Sequence, residues 1–140
     1  MKRPAIILLF LLLASALSAS AQEGIRFESG SLERILKVAD SLRRPVFVDV
    51  YAEWCGPCRR MEREVFTDRA VGDYFNSTFV NARFDAEKGD GAAVARRYGV
   101  RAYPTFLLLD SDGRLLGRMI GGSPARTFIR DIRELYSNSR

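Results

Sequence analysis

The sequence predicts an α/β fold in which a small mixed sheet is flanked by helices on both faces. Segments with apolar residues at helical spacing alternate with short runs rich in β-branched and aromatic residues. The last two apolar runs are separated by Ser111-Asp112-Gly113, a tight-turn signal that makes them a hairpin. An apolar fraction of 47% over 140 residues is enough for one packed core and too high for a disordered chain.

Each element follows from its residues. Leu32, Ile35, Leu36, Ala39 and Leu42 fall at helical spacing, Ser31 is a candidate N-cap, and Arg43-Arg44-Pro45 ends the helix. Val46 to Tyr51 reads as a buried strand. A loop carries Trp54-Cys55-Gly56-Pro57-Cys58, and Arg59 to Val65 is helical. Asp68 to Phe75 is a second short helix, capped by Thr67 or Asp68. Phe79 to Phe84 is a strand, and Ala92 to Tyr98 is a helix with Gly99 in the left-handed position that ends it. Thr105 to Leu109 and Leu115 to Ile120 form the hairpin. Ser123 caps the last helix, with Pro124 at its first position and Phe128, Ile132 and Leu135 as its apolar stripe. Helix-linked strands imply parallel pairing and the hairpin adds antiparallel pairing. Ile25 to Phe27 is a candidate edge strand.

The first 21 residues do not belong to this fold. Lys2 and Arg3 precede an apolar run from Ala5 to Leu13, and Ala19-Ser20-Ala21 follows. That is the layout of a cleaved secretory signal. A membrane anchor needs about 20 apolar residues, and Ser15, Ser18 and Ser20 interrupt this run. The expected organisation is a signal peptide over 1–21, a single domain over 22–140, and a periplasmic or secreted location without stable membrane insertion. Removing Lys2 and Arg3 takes the net charge from +5 to +3. The arginine pairs 43–44, 59–60 and 96–97 are separated by acidic residues rather than gathered on one face. No nucleic-acid partner is expected. The lack of a sustained exposed apolar stripe favours a monomer.

The chain has no histidine and two cysteines. It cannot build a four-ligand cysteine/histidine zinc site or a histidine-based catalytic pair. No metal or cofactor is called for, and thiol chemistry must centre on Cys55 and Cys58. These stand three apart where a strand passes into a helix. Thiolate is the reactive form of cysteine, and the amide groups and dipole of a helix N-terminus stabilise it. Gly56 allows the tight bend and Pro57 suits the first helical position. This geometry exposes the sulfur of Cys55 and places Cys58 one turn behind it. A structural disulfide of so short a span constrains little of the unfolded chain, a metal site needs further ligands, and inert thiols in an exported protein are prone to oxidation. Redox exchange is the reading that fits.

Asp49-Val50-Tyr51-Ala52-Glu53-Trp54-Cys55-Gly56-Pro57-Cys58 resembles the active-site segment of the thioredoxin family. Val100-Arg101-Ala102-Tyr103-Pro104-Thr105 resembles its cis-proline loop, and Asp110 to Gly122 its final hairpin. The resemblance covers about Val46 to Tyr136. It implies the thioredoxin fold, with Cys55 as attacking thiol, Cys58 as resolving thiol, and Asp49 as a buried acid exchanging a proton with Cys58. An exposed strand-end acid is the alternative for Asp49. The resemblance also implies substrate contacts at Trp54, Gly56, Pro57, Tyr103, Pro104 and Gly121, although Tyr103 fits an ordinary core or surface aromatic equally well. Two departures stand out. Many thioredoxins carry a buried lysine on the neighbouring strand. Aligning that strand here places Asn81 at the position, and Arg83 substitutes only if the register slips by two. The stretch from Glu62 to Phe75 is longer than the plain thioredoxin pattern. It is similar to exported thioredoxin-like domains such as the C-terminal domain of the bacterial transmembrane electron transporter.

The Gly-Pro pair resembles that of reducing thioredoxins. It implies an exported oxidoreductase that reduces protein disulfides and draws electrons from a membrane donor, since a periplasm is kept oxidising. Two alternatives stay open: an oxidant or isomerase of exported proteins, and a binding module for cytochrome or disulfide maturation.

Overall fold

A computed structural model describes residues 23–140. The export signal expected over 1–21 lies outside the described residues. The chain forms β1 (Phe27–Glu28), α1 (Leu32–Leu42), β2 (Val46–Tyr51), α2 (Gly56–Arg60) running into a π-helical turn (Met61–Val65), α3 (Arg69–Thr78), β3 (Val80–Asp85), α4 (Gly89–Arg97), β4 (Thr105–Leu109), β5 (Leu115–Ile120) and α5 (Ala125–Ser137). Among the described residues no helix is long and apolar enough to cross a membrane.

The strands form one sheet in the order β1-β3-β2-β4-β5. β1, β3 and β2 run parallel, while β4 pairs antiparallel with β2 and β5. The mixed sheet expected from helix-linked strands and a terminal hairpin is therefore present. The edge strand expected at Ile25–Phe27 lies at Phe27–Glu28, paired with Asn81 and Ala82.

Side chains alternate across a strand, and β2 shows what that achieves. Val46, Val48 and Val50 join Ile35, Ala39, Phe84, Val94, Leu107 and Leu109 in the core layer under α1 and α4. Phe47 points the other way, into a layer with Phe75, Phe79, Phe106, Phe128 and Ile132 under α3 and α5. Phe47 meets Phe75 edge-on with ring centroids 4.7 Å apart, and Phe75 stacks on Phe128 at 5.2 Å. Asp49 shares the parity of Phe47. It is thus carried into the same side of the sheet, beneath α2, with 1% of its surface exposed.

Helix ends account for the shifts from the expected boundaries. Ser31 caps α1 by accepting from the Arg34 amide at 3.3 Å, and Asp68 caps α3 by accepting from Val71 at 3.1 Å. α4 begins at Gly89, before the expected Ala92, and Gly91 in its first turn lies against β3, where a Cβ would stand 1.8 Å from the Asp85 carbonyl oxygen. Gly99 follows α4 with φ +62°, the left-handed position that its place in the sequence indicated. The expected Ser123 cap is not formed. Pro124 occupies the cap position with no side-chain hydrogen bond, and Ser123 Oγ is buried without a partner among the described residues.

Candidate active site

β2 ends at Tyr51, and a tight turn delivers Cys55 to the N-terminus of α2. Cys55 has extended backbone angles (φ −73°, ψ 112°) and its Sγ accepts the Cys58 amide at 3.1 Å. Pro57 lies in the first turn, where its missing amide costs no helical bond. Cys55 and Cys58 are joined as a disulfide with Cα atoms 5.3 Å apart. The expectation of an exposed Cys55 sulfur is corrected: Cys55 is 3% exposed, against 2% for Cys58. Bonding draws the two sulfurs together, and Ala52, Tyr51 and Tyr103 pack around them.

Trp54 stands beside the disulfide, 64% exposed, and donates from Nε1 to Glu87 Oε1 at 2.9 Å. Its ring meets Tyr103 edge-on at 5.9 Å. The Tyr103–Pro104 peptide bond is cis. The Gly121 amide donates to the Pro104 carbonyl at 2.9 Å, with Gly121 at φ +86°, a conformation that favours glycine. The loops carrying Trp54, Gly56 and Pro57, Tyr103 and Pro104, and Gly121 thus converge at the end of the sheet that carries the cysteines. Glu53 accepts from Lys88 Nζ at 2.6 Å and flanks the same rim.

The acid beneath the site has a partner other than the expected one. In the parallel β2/β3 register Phe47 lies opposite Asn81, and Asp49 opposite Arg83. The placement of Asn81 at the basic position is therefore corrected to Arg83. The register is set by Val80, whose amide donates to the Pro45 carbonyl at 2.9 Å as the two strands begin together. Asn81 instead donates to the carbonyl of Arg26 at 3.3 Å and to Asn76 Oδ1 at 3.3 Å, fastening the outer edge.

Arg83 donates from Nε to Asp49 Oδ2 at 2.8 Å and from Nη1 to Glu62 Oε1 at 3.0 Å. Its guanidinium lies 4.4 Å from the Tyr51 ring centroid, within range of cation–π attraction. Burial pushes the Asp49 carboxyl up to about 6, against the pull of Arg83, which favours the anion. The other oxygen, Oδ1, is buried without a hydrogen-bond partner among the described residues. A cleft of about 300 Å³ lined by Tyr51, Glu62, Arg83 and Cys58 opens beside this group. Glu53, Glu62, Arg83, Glu87 and Lys88 are polar residues around the site that the sequence did not single out as site residues. Arg83 had a legible signal, since it alternates with Val80, Ala82 and Phe84 onto the face opposite theirs.

A family model for a thioredoxin-like domain matches residues 32–135. The chain belongs to the thioredoxin-like family. It is 28% identical over 132 residues to the thiol:disulfide interchange protein DsbD of Ralstonia nicotianae, covering 88% of this chain and 22% of that protein. It is 34% identical over 102 residues to the chloroplastic thioredoxin Y2 of Arabidopsis thaliana, covering 73% of this chain and 56% of that one. Among solved structures it is similar to a candidate disulphide-isomerase from Bacteroides thetaiotaomicron, with a TM-score of 0.73 and 40% identity over 81% of this chain and 93% of that one. The chain thus spans a fifth to a little over half of the two curated relatives. The observed sheet and its helices are those of this thioredoxin-like fold.

Proposed function

We propose that the chain is an exported thiol–disulfide oxidoreductase that reduces disulfides of protein substrates through Cys55 and Cys58. The observation that carries this reading is the Cys55–Cys58 bond at the N-terminus of α2, beside a buried Asp49–Arg83 pair. In the dithiol form the Cys55 thiolate attacks one sulfur of a substrate disulfide. A mixed disulfide forms and the first substrate thiolate leaves. Cys58 gives up its proton and attacks Cys55, which releases the second substrate thiolate and closes the Cys55–Cys58 bond. Two electrons pass from the cysteine pair to the substrate. Asp49, with a carboxyl near 6, is suited to take the Cys58 proton close to neutral pH. Trp54, Gly56, Pro57, Tyr103, Pro104 and Gly121 form the rim against which an extended substrate segment lies, pairing with the backbone at Tyr103.

Turnover needs a fresh electron pair. In a periplasm, which is kept oxidising, that pair comes from a membrane donor. The chain works as a monomer in the periplasm or outside the cell. In the test, Cys58→Ser retains an attacking thiol with nothing to resolve it, so mixed disulfides with substrates accumulate. Cys55→Ser forms none and loses disulfide reduction. Equal trapping by both variants overturns the assignment of roles.

A second reading is isomerisation or oxidation of exported proteins. The likeness to the Bacteroides thetaiotaomicron candidate isomerase favours it. The reduction potential separates the two: a reductant falls near thioredoxin at about −270 mV, an isomerase near about −180 mV.

A further inference from the structure

A hollow of about 420 Å³ opens on the α4 side of the rim, where α4 ends and the chain returns toward the cis-proline loop. Tyr103 forms one wall, so the hollow adjoins the backbone against which the proposed substrate lies. Ala92 and Ala95 of α4 form another wall and are too short to fill it. Gly99, at φ +62°, turns the chain out of α4, and a Cβ there would meet nothing within 4 Å.

The charge on these walls is of one sign. Arg96, in the last turn of α4, and Arg101, two residues past Gly99, both line the hollow and both are exposed. Neither meets a carboxylate among the described residues. The acids nearest in sequence are engaged elsewhere. Asp85 and Glu87 flank Ala86, another lining residue. Asp85 Oδ2 lies 3.7 Å from Lys88 Nζ, and Glu87 accepts from Trp54 Nε1 at 2.9 Å. Asp90, the acid of α4, lines a different hollow, with Leu32 and Arg97. The carbonyls of Val94, Ala95 and Arg96 at the end of α4 are taken by the amides of Tyr98, Val100 and Gly99. The hollow thus holds two cations and no acid to answer them. A cleft lined by one sign of charge concentrates ligands of the other sign, and two like charges on one hollow repel until an anion lies between them.

We propose that this hollow is a specificity subsite for an acidic side chain of the disulfide-bearing substrate, carried within a few residues of the attacked cysteine on the stretch that passes Tyr103. Arg96 and Arg101 meet the carboxylate, while Tyr103, Ala92 and Ala95 border its methylene stem. The isosteric amide fits the same space but brings no charge for the guanidinium groups to attract. This inference rests on the proposed reductase reading and names a substrate class for that site.

The test uses disulfide-linked peptide dimers that carry one glutamate at successive positions on either side of the cysteine, with a matched glutamine series. Pre-reduced protein is mixed with each peptide, and the single-turnover rate per substrate concentration is followed by the appearance of peptide thiol. At the favoured position glutamate is expected to exceed glutamine by about fivefold at low salt, the yield of two exposed ion pairs. Added sodium chloride shrinks that ratio, because exposed charges are screened. Arg96→Gln/Arg101→Gln brings the ratio near one, and Arg96→Lys/Arg101→Lys keeps most of it. Arg43→Gln/Arg69→Gln removes as much charge at the end of α1 and the start of α3, and keeps the preference. Because the ratio is taken within each variant, a general loss of stability or rate does not imitate the result. Equal rates for glutamate and glutamine at every position overturn the subsite. A preference that survives Arg96→Gln/Arg101→Gln overturns it, as does one lost equally in Arg43→Gln/Arg69→Gln, which makes net charge the cause. Failure of the unaltered protein to reduce any of the peptides overturns the reductase reading itself.

Discussion

Asp49→Asn probes whether desolvation or Arg83 governs the buried acid. Asp49 is 1% exposed and its carboxyl is raised from 3.8 to about 6. A carboxyl raised on folding binds its proton more tightly in the native chain than in the unfolded one. Its contribution is most favourable below the unfolded value and is lost as pH rises through the folded value. Each pH unit of difference corresponds to about 1.4 kcal/mol, so the full loss is about 3 kcal/mol. Roughly 2 kcal/mol of that falls between about pH 4.5 and about pH 7.5. Urea denaturation of the oxidised protein and of oxidised Asp49→Asn, at both pH values, isolates the effect as a difference of differences. The unaltered protein is expected to lose stability relative to Asp49→Asn as pH rises. If Arg83 outweighed burial, the carboxyl would be depressed and the protein would gain stability relative to Asp49→Asn over the same interval. A flat or reversed difference refutes the reasoning.

The pair can be opened from its other side. Arg83→Gln leaves Asp49 buried without a cation and is expected to cost about 3 kcal/mol or more at neutral pH, less at acidic pH, where Asp49 is protonated. Arg83→Lys keeps the charge and is expected to recover part of that loss, because a lysine cannot bond Asp49 and Glu62 while stacking on Tyr51 as the guanidinium does. Paired denaturation curves at two pH values check both variants. Gly91→Ala would place a methyl 1.8 Å from the Asp85 carbonyl oxygen. It should lower the thermal midpoint by an amount matching roughly 3 kcal/mol of overpacking, unlike Ala93→Gly on the exposed face of the same helix, for which about 1 kcal/mol is expected. Asn81→Ala removes the bonds to Arg26 and Asn76 and is expected to cost about 1–2 kcal/mol. Amide hydrogen exchange should show that loss concentrated at β1.

The strands were legible because their signals are local. Val46–Tyr51, Thr105–Leu109 and Leu115–Ile120 lie within the bounds that β-branched content and the Ser111-Asp112-Gly113 turn define. The cysteine pair was legible for the same reason: strand, tight bend and Pro57 follow in sequence. What escaped depends on contacts between distant segments. Gly89-Asp90-Gly91 is a poor helix former, yet α4 starts there, with Gly91 packed against Asp85 where no side chain fits. Nothing in Met61–Val65 marks a π-helical turn. Ser123-Pro124 has the composition of a cap, but the chain uses Pro124 at that place, and the serine hydroxyl caps nothing and has no partner among the described residues.

Arg83 shows where the limit lies. Alternation in β3 puts Asn81 and Arg83 on one face and Val80, Ala82 and Phe84 on the other. That parity is readable, but it does not say which of the two polar residues meets Asp49, because both registers keep the apolar face buried. The choice is made by where the strands start, at Pro45 and Val80. The result matters for the proposed chemistry. An arginine stays protonated at any working pH, so it neutralises Asp49 without taking its proton. In the proposed exchange, the proton that Asp49 receives from Cys58 must leave by another route. The cleft lined by Cys58, Glu62 and Arg83 lies beside that group. Burial thus raises the Asp49 carboxyl and Arg83 pulls against it, while in the proposed exchange the proton passes on by way of the cleft rather than the guanidinium.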